Sequence, residues 1–296
     1  MLLGDVCEVL ASFLSPDDRY ALPGLVLGPL DQNRTQVYVI LLADHVTELV
    51  LHEAVALRAQ LVISRISPLS GEGDAGVARV DRLVSARADS AAHVAMMCAK
   101  EDKGVFVFGA GLDHAEGGVE QWLCAILGAG REEPIVPHPP PRSASGRGRL
   151  LTLSSPAYLR SCIQALRSRG AARAVTVAPA SKHYGEVHST GIAAAVKRAM
   201  DETPVSQIAV CFGSDCDEVL RTCARAQVFI ASDLTTESVL AANDRNVTVV
   251  LIGDSVGREF YGFLVDRLQG YLGSTQLFVS KAAQNPLRHE GVHQYL

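Results

Sequence analysis

The sequence predicts an α/β protein of two related α/β domains, each with a mixed, mostly parallel sheet flanked by helices. Short apolar runs rich in β-branched residues alternate with longer amphipathic segments, as in proteins built from strand–helix–strand units. The alternation stops at a segment rich in Pro, Gly and Ser and then restarts, although no strict sequence repeat is present. The 296 residues, 48% of them hydrophobic and 20% charged, have the composition of a globular protein with a sizeable core.

The first predicted domain covers residues 1–130 and begins with an amphipathic helix. Each predicted strand is a run of β-branched, aliphatic or aromatic residues, and each predicted helix carries apolar residues at helical spacing. The last helix ends in glycines, which are common just after a helix. The strands are "TQVYVILLAD", "LVIS" and "GVFVFG", and the helices are "TELVLHEAVALRA", "SAAHVAMMCAKEDK" and "GGVEQWLCAILGAG".

Residues 131–149, "REEPIVPHPPPRSASGRGR", are predicted to be a linker or long loop, because proline has no amide hydrogen to donate to a sheet. The second domain, residues 150–296, starts with a helix in which Ser155 is the N-cap and Pro156 the first residue. Strands and helices then alternate again. The strands are "ARAVTVAP", "SQIAVCFG", "QVFIAS", "VTVVLIGD" and "TQLFVS", and the helices are "STGIAAAVKRAMDE", "DEVLRTCARA", "TTESVLAANDRN" and "FYGFLVDRLQGYL".

Charge and cysteine usage narrow the class of protein. The net charge of −5 argues against binding of nucleic acid by bulk charge. The seven cysteines are odd in number and contain no CxxC pair, so free thiols in a reducing compartment are expected rather than disulfides or structural zinc. The N-terminus lacks a basic leader, and no apolar run reaches membrane-spanning length. We therefore expect a cytoplasmic protein without a membrane partner.

Polar residues follow several predicted strands, at the edge where α/β proteins usually carry their sites. In "LVISRISPL" the strand is followed by Ser64 and Arg65, and after "GVFVFG" come Asp113 and His114. A carboxylate beside an imidazole is a candidate for metal binding or acid–base chemistry, whereas the simpler interpretation is a solvated loop. Asp254 and Glu259 follow a later strand and can reach an ion if the loop folds back; the alternative is an acidic helix start.

Three further motifs are weaker. Gly213-Ser214 connects a strand to a helix and suits an anion, but two aspartates in the same loop favour a plain tight connection. His289-Glu290-x-x-His293 has the zincin spacing, but a glycine lies inside it and the chain ends three residues later, so we interpret it as coincidence. His183 and His188 are predicted to lie in a loop.

The order of these motifs resembles the Nif-three-like family (Ngg-interacting factor three-like, also known as GTP cyclohydrolase I type 2 homologues). The resemblance covers nearly the whole chain and is carried by "FGAGLDHAEGGVEQWLCAILG", "QIAVCFGSDCDEVL", "VTVVLIGDSVGREF" and "LFVSKAAQNPL". It implies two α/β domains facing a central cleft, a homo-oligomer that is often a hexameric ring, and two divalent ions in the cleft. The implied ions are manganese, magnesium, zinc or iron, held by a histidine pair, a His-Thr-Asn-Leu-Asp motif, and a C-terminal histidine and glutamate.

This chain departs from the family at every expected histidine. The leading histidine pair falls on Arg65 and Ile66, and a guanidinium repels a cation. The last two residues of the aspartate motif are kept, as Leu112 and Asp113. Asp254 stands for the C-terminal histidine, and the other positions that replace ligands are Gly109, Thr236, Glu237, and Arg258 or Glu259.

We therefore expect a degraded dinuclear metal site in a non-catalytic scaffold or binding protein, a pseudoenzyme with no cofactor and possible protein partners, in which Arg65 pairs with Asp113 or Asp254. One alternative is a metal-dependent hydrolase whose oxygen-rich site uses Asp113, His114, Asp254 and Glu259. Another is a phosphate or nucleotide site formed by Arg65 and Arg258. No catalytic residue is identified.

Overall fold

The computed structural model describes residues 1–14, 24–29, 31, 34–69, 90–139, 145–172, 174–184, 191–253 and 258–283. Within it the chain forms two compact units. Unit one comprises Met1–Leu112 with the described part of Phe260–Leu287, and unit two comprises Asp113–Glu259. Each unit has its own sheet and its own cluster of buried apolar side chains.

The elements of the described residues are as follows. The strands are β1 (Gly24–Leu27), β2 (Val39–Ala43), β3 (Leu61–Ser64), β4 (Gly104–Val107), β5 (Gly130–Pro137), β6 (Gly146–Tyr158), β7 (Thr176–Ala178), β8 (Pro204–Cys211), β9 (Val228–Ala231), β10 (Thr248–Leu251) and β11 (Gln276–Val279). The α-helices are α1 (Leu3–Ser12), α2 (Glu48–Ala56), α3 (Ser90–Lys100), α4 (Ala110–Asp113), α5 (Val119–Leu127), α6 (Leu159–Ser168), α7 (Ile192–Lys197), α8 (Cys216–Thr222), α9 (Thr236–Asp244) and α10 (Arg258–Leu272). A 3-10 turn (Ser181–Tyr184) precedes α7, and a π-helical segment (Arg198–Glu202) follows it.

The sheet of unit one has the strand order β1-β4-β3-β2-β11. The strands β4, β3, β2 and β11 are parallel, and β1 is antiparallel to β4. The apolar runs of β2 and β3 are almost wholly buried, as expected of strands covered on both faces. Because the carboxyl ends of parallel strands meet at one edge, the residues that follow β2, β3 and β4 lie together.

The sheet of unit two has the order β5-β6-β8-β9-β10-β7. A parallel centre, β8-β9-β10, lies between antiparallel pairings of β5, β6 and β7. Both sheets are therefore mixed, and helices flank them, so the predicted α/β class is confirmed. Parallel pairing predominates in unit one, whereas in unit two antiparallel strands flank the parallel centre on both sides.

The two units repeat one three-strand framework down to individual hydrogen bonds. At the start of β2, Gln60 Oε1 accepts from the amides of Tyr38 (2.9 Å) and Val39 (3.0 Å). At the corresponding point of β8, Gln227 Oε1 accepts from the amides of Ser206 (2.7 Å) and Gln207 (3.1 Å). Both glutamines directly precede the neighbouring parallel strand.

The opposite ends of these strands repeat as well. The amide of Phe108 donates to Ser64 O, and the amide of Ile252 donates to Ala231 O, both at 2.9 Å. One residue further along, the amide of Gly109 donates to Arg65 O at 3.0 Å, and the amide of Gly253 donates to Ser232 O at 3.1 Å. Arg65 of unit one and Ser232 of unit two therefore occupy equivalent positions. The shared framework explains why the two halves of the sequence have a similar order of strands and helices although they contain no sequence repeat.

The prediction that residues 131–149 form a linker or long loop is wrong. Its described residues form most of β5 and the start of β6, which pair antiparallel from Gly130 opposite Leu153 to Pro137 opposite Gly146. Prolines are tolerated here because β5 lies at the edge of the sheet, where an amide on the open side has no strand to bond. The grouping into units consequently differs from the predicted division at residues 130 and 150.

The helix predicted to begin at Ser155 is also corrected. Strand β6 continues to Tyr158, and α6 begins at Leu159. Pro156 lies where the register between β6 and β8 shifts, between Thr152 and Ala157. An irregular step of a ladder needs fewer amide donors and so accommodates proline.

The predicted strands "LVIS", "GVFVFG" and "QVFIAS" are confirmed within two residues. The N-terminal helix and the helices around these strands are also present, but most of them end three or more residues before the predicted segments do. Strand β1 was not predicted. None of the helices in the described ranges has both the length and the apolar character needed to cross a membrane.

Candidate functional site

Arg65, which stands where the resemblance places a metal-binding histidine, is buried at the end of β3 in unit one. Its side chain is 6% exposed, and its Nε donates to Asp44 Oδ1 at 2.9 Å. The hydroxyl of Tyr261 donates to the same oxygen at 2.9 Å. The guanidinium thus has a buried counterion directly after β2. The partner expected from the sequence was Asp113 or Asp254, not Asp44.

The backbone around Arg65 is fixed by short-range bonds between the ends of three strands. The hydroxyl of Ser64 lies 3.1 Å from Asp44 O and 2.7 Å from Ile66 O, and the amide of Ile66 donates to Asp44 O at 3.0 Å. Gly109, which replaces the leading histidine of the aspartate motif, donates its amide to Arg65 O and has φ +60°. That left-handed conformation favours glycine over any residue with a side chain.

His45 adds a titratable group beside the same carboxylate. Its Nδ1 lies 3.3 Å from Asp44 Oδ2, and its side chain is partly exposed. Asp44 therefore contacts a guanidinium and a phenol on one oxygen and an imidazole near the other.

In unit two, His114 is buried among acidic side chains. Its Nδ1 lies 3.1 Å from Glu120 Oε1, and its Nε2 lies 3.8 Å from Asp215 Oδ2. Burial alone would lower the pKa of His114, but the charge and hydrogen bond of Glu120 and the charges of Asp113 and Asp215 outweigh burial and raise the pKa to about 9. The imidazole is therefore a cation at neutral pH. The predicted pair Asp113-His114 is buried rather than a solvated loop.

Glu120 is the anion that ties this cluster to the sheet, and sequence analysis missed it. It lies on α5 and is fully buried, and its Oε1 accepts from the amides of Gly148 (3.2 Å) and Phe212 (3.1 Å). Its signal in the sequence is weak: a single acidic residue in the largely apolar helix "VEQWLCAIL".

Arg147 completes the cluster and was also missed, because it falls in the segment predicted as a linker. Its Nη1 donates to Asp215 Oδ2 at 3.0 Å and to Glu218 Oε2 at 2.7 Å, and its Nη2 donates to Glu218 Oε1 at 3.0 Å. The hydrogen bond to Glu218 is the main reason why the pKa of Arg147 is raised. Asp215 is thus shared between two cations, Arg147 and His114.

Asp113, the one family ligand kept at its position, is buried beside Gly213. A Cβ added at Gly213 would lie 3.0 Å from Asp113 Oδ2, and Gly213 has φ +92°. The amide of Gly213 donates to Ser232 Oγ at 3.0 Å. The Gly213-Ser214 turn is therefore a tight connection packed against the carboxylate of Asp113.

The remaining predicted positions are dispersed. Thr236 and Glu237 lie exposed in the first turn of α9, whose N-cap Thr235 accepts from the amide of Ser238 at 3.3 Å. Glu259 lies in the first turn of α10, and its carboxylate packs against Gly170.

Other positions are of several kinds. Arg258 is exposed, Ile66 is partly buried and Leu112 is buried.

His183 is buried in the 3-10 turn. Burial, with the charges of Lys182 and Arg198, lowers the pKa of His183. Outside the described residues lie Asp254, His188 and the His289–His293 motif. Across the described ranges, no group of three or more His, Cys, Asp or Glu side chains is placed to hold a metal ion.

Two mixed sheets that repeat one framework and carry buried charges at their strand ends define a two-unit α/β protein. The chain belongs to the Duf34/NIF3 (NGG1p interacting factor 3) family, whose model matches residues 1–286. This confirms the resemblance found from the sequence motifs.

Solved structures show the same fold. A Bacillus cereus protein related to NIF3 has a TM-score of 0.72 at 14% identity and covers 97% of this chain and 98% of its own. A Staphylococcus aureus hypothetical protein has a TM-score of 0.73 at 15% identity, with 98% and 99% covered. Reduced HcgD from Methanocaldococcus jannaschii has a TM-score of 0.67 at 14% identity, with 95% and 98% covered. No curated protein matches the chain.

Proposed function

We propose that this chain is a non-catalytic NIF3-family protein, a scaffold or binding protein whose own cationic side chains replace the divalent ions of its relatives. The observation that carries the proposal is the buried pair of Arg65 with Asp44 at the end of β3. Arg65 has no atom that can bind a cation, and Ile66 beside it has none either.

The cluster of unit two supports the same proposal. Both ring nitrogens of His114 already face carboxylates, Nδ1 that of Glu120 at 3.1 Å and Nε2 that of Asp215 at 3.8 Å. Asp215 already has Arg147 and His114 as counterions. Across the described residues no group of three or more His, Cys, Asp or Glu side chains is placed to hold an ion, so these donors do not fit a pair of divalent ions.

The alternatives receive less support. A hydrolase site of Asp113, His114, Asp254 and Glu259 needs ring nitrogens and carboxylates free to turn to an ion, but His114 faces Glu120 and Asp215, and Glu259 packs on Gly170. A phosphate site of Arg65 and Arg258 needs a guanidinium directed to a ligand, whereas Arg65 is bonded to Asp44.

The test is the metal content of the untagged protein, measured by elemental mass spectrometry before and after incubation with manganese, zinc, magnesium or iron(II). We expect close to zero ions per chain, in the wild type and in Asp113→Ala alike. One or two ions per chain that are lost in Asp113→Ala, but kept in the exposed control Asp5→Ala, would overturn the proposal and favour the hydrolase.

As part of the same proposal we place the protein in the cytoplasm as a homo-oligomer. All seven cysteines are free thiols, which agrees with a reducing compartment. Family resemblance supports the oligomer, and light scattering on the purified chain tests it: a monomer at micromolar concentration would contradict it.

A further inference from the structure

Strand β11 lies at one edge of the sheet of unit one, next to β2. The two strands pair in regular parallel register over all four residues of β11, from Gln276 opposite Val39 to Val279 opposite Leu42. Among the described residues, no strand lies on the other side of β11. Its outer edge is therefore open to a further strand.

The hydrogen bonds to β2 show which backbone groups of β11 face outward. The amides of Gln276 and Ser280 donate to carbonyl oxygens of the β2 segment, both at 2.8 Å. Successive residues of a strand direct their backbone groups to alternate sides, so the amides and carbonyls of Leu277 and Val279 face the open edge. The edge thus presents two donors and two acceptors.

The other edge strands carry features that block pairing, whereas β11 does not. Strand β1 has an irregular register against β4 between Leu25 and Leu27, β5 contains Pro134 and Pro137 with three charged residues, and β7 has only three residues. Bulges, prolines, charges and short length are the usual protections of sheet edges. The sequence "QLFV" of β11 has no proline and no charge, and its register has no irregular step.

Apolar side chains line the same edge. Phe278 is 40% exposed, whereas Leu41, which lies opposite it on β2, is fully buried. Leu277 and Val279 are also partly exposed. Because no residue of β11 is charged, a second β11 placed alongside meets no charge of its own sign on the strand. Two copies of this edge match each other, since each supplies two donors, two acceptors and an exposed aromatic ring.

We propose that β11 pairs antiparallel with β11 of a second copy of this chain, about a twofold axis perpendicular to the sheet. The two five-stranded sheets of unit one then form one continuous sheet. The inference rests on the homo-oligomer of the proposed function and identifies the strand through which two copies bind.

The outward backbone groups define the register of this pair. An axis at Phe278 places Leu277 opposite Val279 of the partner subunit, and Val279 opposite the partner's Leu277. Each of these two pairs exchanges both of its N–H···O bonds. Phe278 then lies opposite the partner's Phe278 at a pair without hydrogen bonds, where side chains are closest and the two rings cover each other.

Neighbouring registers satisfy fewer groups. An axis at Leu277 places Val279 opposite Thr275 of the partner subunit, and an axis at Val279 places Leu277 opposite the partner's Lys281. The amides of Thr275 and Lys281 already donate to acceptors within the unit. The register with Phe278 on the axis is therefore the favoured one.

The first test measures the mass of the full-length protein by light scattering. Val279→Pro removes an outward amide and leaves the hydrogen bonds to β2 in place, because an edge strand accepts proline where its amide faces away from the sheet. We expect the mass of this variant to fall to half that of the wild type or lower. Val279→Thr keeps the amide and the branched side chain, so it should keep the wild-type mass.

The second test is a disulfide across the axis. In Phe278→Cys, the Cα atoms of the two new cysteines lie about 4.5 Å apart, which is within the range of a disulfide. Mild oxidation should therefore link this variant into dimers that a reductant separates. In Gln276→Cys, the two cysteines are offset by four residues, roughly 13 Å, and should not link. The wild type controls for its own seven cysteines.

The outcomes separate this inference from the proposed function. A wild-type mass in folded Val279→Pro, or no linked dimer in Phe278→Cys, overturns the β11 contact and leaves the homo-oligomer standing. A wild type that is itself a monomer overturns both. If circular dichroism shows that Val279→Pro does not fold, the comparison of Phe278→Cys with Gln276→Cys decides alone.

Discussion

Arg65 and Asp44 stabilise each other, because each is a buried charged side chain and the other is its counterion. We predict that Arg65→Met lowers the free energy of unfolding by about 3–5 kcal/mol, since it leaves a buried carboxylate without its cation. Asp44→Asn combined with Arg65→Met should cost less than the sum of the two single changes. Denaturant unfolding measures all three, with Arg167→Met on the exposed side of α6 as a control. Equal losses in Arg65→Met and Arg167→Met would show that the pair contributes nothing.

His114 gives stability a pH dependence whose sign follows from its raised pKa. The pKa is about 9 in the folded chain against 6.5 for an ordinary histidine, so the folded state binds the proton more tightly. The stabilisation is fully present below pH 6.5 and is lost as the pH rises to about 9, up to about 3 kcal/mol in total. Denaturant unfolding between pH 6 and 9.5, on the wild type and on His114→Gln, measures it. We expect the variant to lose this fall in stability; an unchanged pH profile would exclude His114 as its origin.

At the residue scale, the sequence predicted which edge of the sheet carries the polar residues, but it did not predict the residues that they contact. Arg65, Asp113 and His114 follow strands whose apolar runs are plain in the sequence. Their partners come from elsewhere in the chain: Tyr261 lies 217 residues from Asp44, and Glu120 bonds Phe212 across 92 residues. No local pattern contains such contacts. Gln60 and Gln227 were missed for a related reason, because one polar side chain before a strand has no periodicity.

At the scale of elements, Gly148 has a place in β6 that only glycine fits. It has φ +65°, and an added Cβ would collide with the side chain of Val219 on α8. We predict that Gly148→Ala lowers the free energy of unfolding by about 1–3 kcal/mol, from backbone strain and overpacking. Gly262→Ala is the matched control, because Gly262 lies inside α10 with no atom within 4 Å of an added Cβ.

Alanine should stabilise α10 by about 0.5–1 kcal/mol, as it usually does inside a helix. The midpoints of thermal and denaturant unfolding should therefore fall in Gly148→Ala and rise in Gly262→Ala. Two losses of similar size would mean that the conformation of Gly148 is not the cause.

Elements were predictable where one signal dominated and not where two competed. The apolar runs of β3 and β9 were predictable as buried strands because they are short and rich in β-branched or aromatic residues. The predictions for β5 and for the start of α6 were wrong because proline was taken to indicate a loop in the first case and a helix start in the second. It excludes central ladder positions, but it does not exclude an edge strand or an irregular step, and a single sequence does not reveal which strand lies at an edge.

At the scale of the whole molecule, the repeated framework makes a prediction that links the two units. Gln60 and Gln227 each accept from two backbone amides of the neighbouring parallel strand, at the start of β2 and at the equivalent point of β8. Replacing either by Met removes the acceptor of two amides that are partly open to water, which should lower the free energy of unfolding by about 0.5–1.5 kcal/mol. Because the two sites are equivalent, the losses should be similar, while the exposed control Gln164→Met on α6 should change little.

Hydrogen exchange locates each effect within its own unit. In Gln60→Met the amides of Tyr38 and Val39 should exchange faster, and in Gln227→Met those of Ser206 and Gln207, each with the other pair unchanged. Faster exchange of both pairs in both variants would mean that opening is global and that the units unfold together. Unchanged exchange in both variants would mean that these glutamines do not hold the strand starts, and the repeated framework would then be one of shape alone.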